Sequence, residues 1–174
     1  VPVYDADAAV HRLYEGEATA AIEAAFPGTT ANGKVDRDRL AKSVLGDAAA
    51  IKRLEAIVHP RVAGARERFL AEAERSGAPV VVLDIPLLFE TKGDERCDAV
   101  VVVSAPADMQ RLRAFERPGM SEDKLAAIMA NQVPDEDKRR RADFVVDTSQ
   151  GFEHARAQVR DILSRVATMP KRPR

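Results

Sequence analysis

Two carboxylates, Asp5 and Asp7, follow the first predicted strand of the chain. Side chains two residues apart in a strand point to the same side, so both carboxylates face the same way if the strand continues through them. A carboxylate at such a point can accept a proton from an attacking hydroxyl or orient a magnesium-bound phosphate. Aspartate also caps helices, and one of the two can instead cap the helix that runs through Leu13. Both interpretations stay open from spacing alone.

Polar residues also follow the three later predicted strands. Ligands of open α/β sheets bind beyond the carboxyl ends of the strands, so these positions are candidates for a binding site. Some of them can equally be helix caps. They are Asp84, Pro86, Phe89 and Glu90 after the second strand, Ser104 after the third, and Asp147, Thr148 and Ser149 after the fourth.

Basic residues form two local clusters. Arg111, Arg113 and Arg117 run into a break at Pro118-Gly119, and a second cluster spans Lys138 to Arg141. Mobile guanidinium groups next to such a break can clamp phosphates, although both clusters can also be solvated helix faces. His59, which precedes Pro60, is either a structural residue or part of a site.

The segment Gly28–Lys34 matches the spacing of a phosphate-binding P-loop up to its last position. That position requires Ser or Thr to ligate Mg²⁺, whereas this chain has Val35 there. A predicted helix precedes the segment, where a buried strand is required. We therefore expect an ordinary surface loop, with Asp36 capping the next helix.

Four short apolar runs with helical patterns between them predict a parallel α/β sheet. The stretch between the first two runs holds roughly 75 residues, too many for one crossover helix, and predicts a helical insertion. Within it, Pro60 is expected to end one helix and open the next. The predicted strands are Val1–Tyr4, Val80–Ile85, Ala99–Val103 and Phe144–Val146. The predicted later helices are Ala107–Glu116, a helix from after Ser121, its candidate N-cap, to about Asn131, Asp135–Arg141 and Phe152–Val166.

The composition favours a cytoplasmic, single-domain protein. The formal net charge of the 174 residues is -1, so no global positive field favours nucleic acid or an anionic membrane. No apolar run is long enough to span a bilayer. The single cysteine, Cys97, excludes an intramolecular disulfide and a multi-cysteine zinc site.

Taken together, the segments resemble the dephospho-CoA kinases, P-loop kinases that complete coenzyme A synthesis. The resemblance spans Val1 to about Val166. Its markers, in chain order, are Val3-Tyr-Asp-Ala-Asp7, Asn32-Gly-Lys-Val-Asp-Arg37, Ile57-Val-His-Pro60, Val82-Leu-Asp-Ile-Pro-Leu-Leu-Phe-Glu90, Arg113-Ala-Phe-Glu-Arg-Pro-Gly-Met-Ser121, Asn131-Gln-Val-Pro134, Lys138-Arg-Arg-Arg-Ala-Asp143 and Val145-Val-Asp-Thr-Ser149.

The resemblance implies transfer of the ATP γ-phosphoryl group to the 3′-hydroxyl of dephospho-CoA, with Mg²⁺. It implies that Asp7 is either the catalytic base or the carboxylate that orients the attacking hydroxyl, and that Arg113 and Arg117 close over the phosphates of ATP. Thr148 and Ser149 would lie by the adenine, although the family commonly has Asn where this chain has Thr148. The implied acceptor-side residues are Asp5, His59, Pro86, Leu87, Leu88 and Glu90.

The resemblance also implies one kinase domain over residues 1–169. Its helical acceptor-side insertion lies within about 5–76 and its lid within about 107–141, and a basic tail follows at 170–174. The implied sheet has the strand order 2-3-1-4-5, with helices on both faces. Its central strand and P-loop have no counterpart in the chain. We therefore expect a truncated sequence without activity on its own and without a metal ligand of its own.

Two alternatives remain: a nucleoside or nucleotide kinase of the same fold, and a non-catalytic nucleotide-binding remnant. The apolar stretch Pro86–Phe89 argues against the first, and the presence of Asp7 argues against the second. The expected partners are the small molecules ATP and dephospho-CoA, with no nucleic acid and no membrane. The expected assembly is a monomer or a weak homo-oligomer.

Overall fold

The computed structural model describes residues 1–170 and 172, so most of the predicted tail at 170–174 lies outside the described residues. The chain forms two compact units. The N-terminal unit is Val1–Pro86 and the C-terminal unit is Leu87–Arg174. Over the described residues, every helix is either too short or too polar to cross a bilayer.

The N-terminal unit is built on a parallel pair of strands, β1 (Val3–Asp5) and β4 (Val82–Asp84). Val3 lies opposite Val82, and Asp5 lies opposite Asp84. The segment between the two strands is a helical insertion, as predicted. It contains α1 (Ala6–Tyr14), α2 (Thr19–Ala25), β2 (Thr30–Ala31), β3 (Lys34–Val35), α3 (Arg37–Val44) and α4 (Ala48–Arg75).

The core of this unit lies where α1, α2 and α3 pack against α4. Tyr4 joins the strand pair to the same helix, because its hydroxyl donates a hydrogen bond of 3.2 Å to the Val62 carbonyl and its ring lies 5.5 Å from that of Phe69. The buried core residues are Leu13, Ala18, Ile22, Phe26, Val35, Leu40, Val44, Ala50 and Val58.

Pro60 does not divide α4, which corrects the prediction of two helices. The helix runs through Ala48–Arg75 with the proline inside it. A proline removes one backbone donor from the helix interior and clashes with the carbonyl one turn earlier. Here the Arg61 guanidinium donates a bond of 2.6 Å to the neighbouring Ile57 carbonyl and supplies a side-chain donor at the interruption. Packing of α4 against α1, α2 and α3 stabilises the rest of the helix on either side of the proline.

The segment Gly28–Lys34 is not a P-loop, as predicted, but it is more ordered than a surface loop. Strands β2 and β3 form an antiparallel hairpin, with Thr30 opposite Val35. Asn32 and Gly33 form its turn with φ of 52° and 77°. Two positive φ values in sequence define the tight turn that Asn-Gly favours. Asp36 caps α3, as predicted, by accepting bonds of 3.1 Å from two backbone amides.

The C-terminal unit is built on a second parallel pair, β5 (Val101–Ser104) and β6 (Phe144–Asp147). A short 3₁₀ helix, Gly93–Arg96, precedes β5. The helices of the unit match the predicted bounds within one or two residues. They are α5 (Ala107–Phe115), α6 (Glu122–Ala130), α7 (Asp135–Arg141) and α8 (Phe152–Val166).

Helix α8 and the loop after β4 cover different strands of this pair. Phe144 and Val146 of β6 pack against Ile162 of α8, whereas Val100 and Val102 pack with Phe89. Both parallel pairs join strands that the predicted order 2-3-1-4-5 makes neighbours. The parallel α/β fold is therefore confirmed, and the order of all the strands in one sheet stays a prediction.

Candidate active site

Asp5 and Asp7 have different roles at the start of α1. Asp5 caps the helix, because one of its carboxylate oxygens accepts a bond of 2.8 Å from the Ala8 amide. The strand does not continue through both carboxylates, since β1 ends at Asp5 and Asp7 already lies in the first helical turn, so the condition for their facing the same way is not met. The Asp7 side chain is exposed and has no hydrogen bond or ion pair with any described residue. It is therefore available to a ligand.

A further carboxylate lies beside Asp5. Because Asp84 is the register partner of Asp5, both side chains point to the same face of the β1–β4 pair, about 5 Å apart at the strand backbone. Both residues are exposed. The carboxyl end of this strand pair therefore presents two adjacent carboxylates, and Asp7 follows one of them by two residues.

His59 lies on the exposed surface of α4, directly before Pro60. Its imidazole contacts no described residue through a hydrogen bond or ion pair. This exposure disagrees with the interpretation of His59 as a hydrogen-bonded structural residue. The side chain is therefore free to meet a ligand.

The structure brings together Arg113 and Thr148, two of the predicted ATP-side residues. The Arg113 guanidinium donates two bonds of 2.8 Å, one to the Thr148 hydroxyl and one to its carbonyl. Thr148 is in turn fixed to β5, because its hydroxyl and its amide both donate to the Ser104 carbonyl, at 3.0 and 2.9 Å. Arg113 is thus held at the carboxyl ends of β5 and β6.

Ser149 lies in the same loop, where its amide donates a bond of 2.8 Å to the Asp147 carboxylate. That bond, together with one from the Ser149 hydroxyl, holds the pKa of Asp147 below its ordinary value. The Asp147 carboxylate therefore stays ionised and orders the loop after β6. The polar residues at this strand end therefore belong to one hydrogen-bonded loop.

Arg117 lies beyond the end of α5, directly before the Pro118-Gly119 turn that leads to α6. The turn contains Gly119 with φ of 72°, and Ser121 caps α6, as predicted, by accepting a bond of 3.3 Å from the Lys124 amide. Arg117 is exposed and has no side-chain partner among the described residues. Arg111 differs, because it forms an ion pair with Glu122 and lies 5.0 Å over the Phe115 ring.

The predicted acceptor-side stretch, residues 86–90, is exposed where it starts and buried at Phe89. Pro86 and Leu87 are exposed, Leu88 is half-buried and Phe89 is 6% exposed. Glu90 accepts a bond of 2.8 Å from the Val133 amide. Its carboxylate lies 3.2 Å from the Lys138 ammonium group.

The surroundings of Glu90 act on its pKa in opposite directions. Burial raises the pKa of the carboxyl group, but hydrogen bonds from the backbone and from Lys138 outweigh burial, so the pKa lies below its ordinary value. Glu90 is therefore ionised and paired within the protein.

Sequence reasoning missed Asp135, which lies at the start of α7. Both of its carboxylate oxygens accept the Ser104 hydroxyl, at 2.9 Å. The two residues are 31 positions apart, so no local spacing marks the pair. Sequence reasoning placed Lys138 in a basic cluster that can clamp phosphates and in a family marker, but it did not find the pairing of Lys138 with Glu90.

Two surface grooves lie away from the predicted site residues. One, of about 300 Å³, lies between α1 and α4 and is lined by Arg12, Glu17 and Arg68 among others. The other, of about 490 Å³, runs along β6 and α8 and includes Asp143 and Arg165. Neither groove contains a residue predicted to bind substrate, so neither helps to locate the substrates.

The strand pairs, the carboxylates at their ends and the arginines near the loop after β6 are features of an α/β enzyme that transfers phosphoryl groups. A family model described as dephospho-CoA kinase matches residues 1–154. The chain belongs to the dephospho-CoA kinase family.

Individual relatives agree with the family match. A dephospho-CoA kinase of Bradyrhizobium diazoefficiens is 64% identical over 172 residues, covering 99% of this chain and 86% of the relative. A crystal structure of a Thermus thermophilus protein has a TM-score of 0.77 and 34% identity, over 94% of this chain and 84% of that one. A dephospho-CoA kinase of Campylobacter jejuni has a TM-score of 0.62 at 22% identity over 95% and 84%, and shows the fold alone.

Proposed function

We propose that the protein transfers the γ-phosphoryl group of ATP to the 3′-hydroxyl of dephospho-CoA, forming coenzyme A and ADP. The observation that carries this proposal is the 64% identity to a dephospho-CoA kinase over 99% of the chain. At such identity over nearly every element, the acceptor of the relative is the first acceptor to test. The reaction is the final step of coenzyme A synthesis.

Asp7 is the base of the proposed reaction. Its carboxylate accepts the proton of the 3′-hydroxyl while that oxygen attacks the γ-phosphorus. The bond between the γ-phosphorus and the bridging oxygen of ADP then breaks, and ADP leaves. Two features support Asp7 over Asp5: its side chain is exposed without a partner, whereas the carboxylate of Asp5 accepts the Ala8 amide. Asp5 supports the loop by capping α1.

Arg113 and Arg117 neutralise the charge on the transferring phosphoryl group. Guanidinium groups suit this task, because they stay charged and donate in a planar fork. Arg113 is held by Thr148, and Arg117 is unpaired at the break after α5. In the proposal, movement of this segment over ATP excludes water and suppresses hydrolysis of ATP. Thr148 and Ser149 lie by the adenine of ATP.

His59, Pro86, Leu87 and Leu88 contribute to the acceptor side. An exposed apolar stretch suits the adenine and the pantetheine chain of dephospho-CoA, whereas a nucleotide kinase requires cations for an acceptor phosphate. Leu87 is 43% exposed, which supports its availability to a ligand.

Mg²⁺ fits this chain with help from the substrate. The described residues contain no group of three or more His, Cys, Asp and Glu side chains able to hold a metal ion. Mg²⁺, however, commonly takes one or two carboxylates and completes its shell with water and substrate phosphates. Asp84, exposed at the carboxyl end of β4, is the carboxylate that would face it. When bound with ATP, the ion supplies charge neutralisation at the phosphates.

The finer architecture is part of the same proposal. We infer the strand order 2-3-1-4-5, one kinase domain over residues 1–169 and a lid within about 107–141. We also infer a cytoplasmic enzyme, a monomer or weak homo-oligomer, that acts on small molecules. The two parallel strand pairs support the strand order, and the near-neutral formal charge of -1 supports action on small molecules rather than on nucleic acid.

An acceptor comparison tests the proposed function. The protein expressed from its complete gene is incubated with ATP, Mg²⁺ and, in turn, dephospho-CoA, AMP and adenosine, and the products are identified by mass spectrometry and phosphorus NMR. We expect a 3′-phosphate on dephospho-CoA only. Preference for AMP or adenosine would identify a nucleotide or nucleoside kinase, and ATP binding without transfer to any acceptor would identify a non-catalytic module.

A further inference from the structure

A nearly buried ion pair joins the acceptor-side stretch to α7 within the C-terminal unit. The side chains of Glu90 and Lys138 are only 15% and 16% exposed, and the Lys138 ammonium group lies 3.2 Å from one Glu90 oxygen. The same oxygen accepts the Val133 amide at 2.8 Å. Lys138 also donates a bond of 3.3 Å to the Gln132 side chain. One carboxylate therefore holds both α7 and the turn that precedes it.

The backbone transmits the position of Glu90 to the two leucines before it. The Leu88 carbonyl accepts the Gly93 amide at 2.7 Å, and the Leu87 carbonyl accepts the Thr91 hydroxyl at 2.8 Å. A Cβ atom at Gly93 would lie 2.7 Å from the end of the Leu88 side chain and 3.3 Å from the Leu88 carbonyl oxygen, so the turn is closely packed at Gly93. Leu87 and Leu88 are thus part of one tight turn with Glu90.

A second ion pair joins the same two regions but contacts neither leucine directly. Arg141 lies 2.6 Å from Asp94, whose side chain is 16% exposed, and its guanidinium lies 4.5 Å over the Phe89 ring. Asp94 belongs to the 3₁₀ helix after the leucine turn. This second pair is therefore a matched comparison for the first.

Stability alone is a weak reason for the Glu90–Lys138 pair. Removing two charges from water costs about as much as their attraction returns, and apolar replacements of similar volume are often neutral or stabilising. In addition, the second Glu90 oxygen is buried and accepts no hydrogen bond from a described residue, and the same holds for the Oδ1 atom of Asp94 in the comparison pair. Such an arrangement is better explained by the geometry that it imposes than by the stability that it adds.

We propose that Glu90 and Lys138 form a positioning pair, which orients the Leu87–Leu88 turn for the acceptor by fastening it to the segment Gln132–Lys138. This inference rests on the proposed function and refines it. Glu90 acts through the leucines and does not itself contact the acceptor. Misplacement of a binding group by about 1 Å can cost up to about a hundredfold in rate, so a distortion of this turn is measurable.

The test compares steady-state kinetics of Glu90→Gln, Lys138→Met and the control Asp94→Asn in the whole protein. We expect both Glu90→Gln and Lys138→Met to raise the KM for dephospho-CoA about tenfold, with kcat and the KM for ATP within about twofold of the wild type. Asp94→Asn should lower the melting temperature and leave all three constants unchanged. A rise in the acceptor KM with Glu90→Gln but not with Lys138→Met would overturn the proposal, because Glu90 would then contact the acceptor itself.

A double variant covers the case in which the single variants fold poorly. Glu90→Gln/Lys138→Met buries no unpaired charge and keeps an acceptor for the Val133 amide, so its melting temperature should lie near that of the wild type while the acceptor KM stays raised. An acceptor KM restored to the wild-type value would overturn the proposal and leave the pair a structural contact only.

Hydrogen exchange separates failure of this inference from failure of the proposed function. Exchange of the Val133 amide should accelerate in Glu90→Gln relative to Asp94→Asn. Equal exchange rates in the two variants would overturn the proposal that Glu90 and Lys138 position this segment. A wild-type protein that forms no coenzyme A would refute the proposed function, whereas an active wild type with unchanged acceptor KM in every variant would refute only the positioning role.

Discussion

Asp5 and Asp7 are chemically identical, but the start of α1 gives them different environments. The carboxylate of Asp5 accepts the Ala8 amide, whereas Asp7 has no partner among the described residues. We expect Asp7→Asn to reduce kcat by about 10²–10⁴-fold, because an amide cannot accept the hydroxyl proton. ATP binding, measured by calorimetry, should stay within about twofold of the wild type.

Asp5→Asn is the matched control for that variant. Asparagine caps helices about as well as aspartate, so the helix start is kept and stability should change by less than about 0.5 kcal/mol. If Asp5→Asn reduced turnover as much as Asp7→Asn does, the combined negative charge of the two carboxylates would explain the effect. Asp7 would then lose its role as the base.

Of the two predicted lid arginines, Arg113 is the one whose side chain forms hydrogen bonds to another described residue. Its bonds to Thr148 are exposed, so they contribute little to stability, and Arg113→Ala should lower the melting temperature only slightly. We expect the same variant to lower kcat/KM for ATP by about 10²–10³-fold through loss of a charged donor to the phosphates. Thr148→Val removes the hydroxyl bonds to Arg113 and to the Ser104 carbonyl but keeps the backbone bonds to both residues, so it should reduce kcat/KM less than tenfold. A large drop in melting temperature with unchanged kinetics would make Arg113 structural.

The Glu90 carboxyl group predicts a specific acid dependence of stability. Burial raises its pKa, but the surrounding hydrogen bonds lower the pKa by more than burial raises it. In the folded protein the pKa therefore lies below its ordinary value of 4.5. A depressed folded pKa gives stability that is present above the unfolded pKa and lost as the pH falls through the folded one. The difference in melting temperature between wild type and Glu90→Gln should therefore be greatest near neutral pH and shrink below about pH 4.5. A difference independent of pH would contradict this account.

The hairpin β2–β3 depends on backbone conformation more than on contacts. Gly33 has φ of 77°, and nothing lies within 4 Å of the place where a Cβ would be. Gly33→Ala should therefore lower the free energy of unfolding by about 1–2 kcal/mol through backbone strain alone. Gly16→Ala is the control, since Gly16 has no positive φ and its Cβ would lie 3.9 Å from the nearest atom. Chemical denaturation of both variants measures the difference, and equal values would contradict the strain argument.

The elements of the C-terminal unit were largely predictable from sequence. Helices α7 and α8 occupy their predicted bounds, because Pro134 and Gly151 mark sharp starts and the apolar spacing of α8 is regular. The prediction that Pro60 separates two helices was wrong, because tertiary packing of α4 outweighs the local cost of the proline. The hairpin was missed although Asn32-Gly33 is the local signal for it, since the match to a P-loop drew the interpretation elsewhere.

At the scale of the molecule, sequence reasoning located the strand ends but not the contacts among them. The side-chain pairs Ser104–Asp135 and Glu90–Lys138 join residues far apart in the chain, and no periodicity links such partners. The family and the parallel α/β fold were predicted from ordered motifs, and both are confirmed. The roles of individual residues stay predictions until variants are measured.

The most direct test of the central claim is the stoichiometry of phosphoryl transfer by the protein expressed from its complete gene. With ATP, Mg²⁺ and dephospho-CoA, the account predicts one coenzyme A formed for each ADP released, with the new phosphate on the 3′-oxygen of the ribose. Release of ADP without coenzyme A, or phosphorylation of another acceptor in its place, would contradict it.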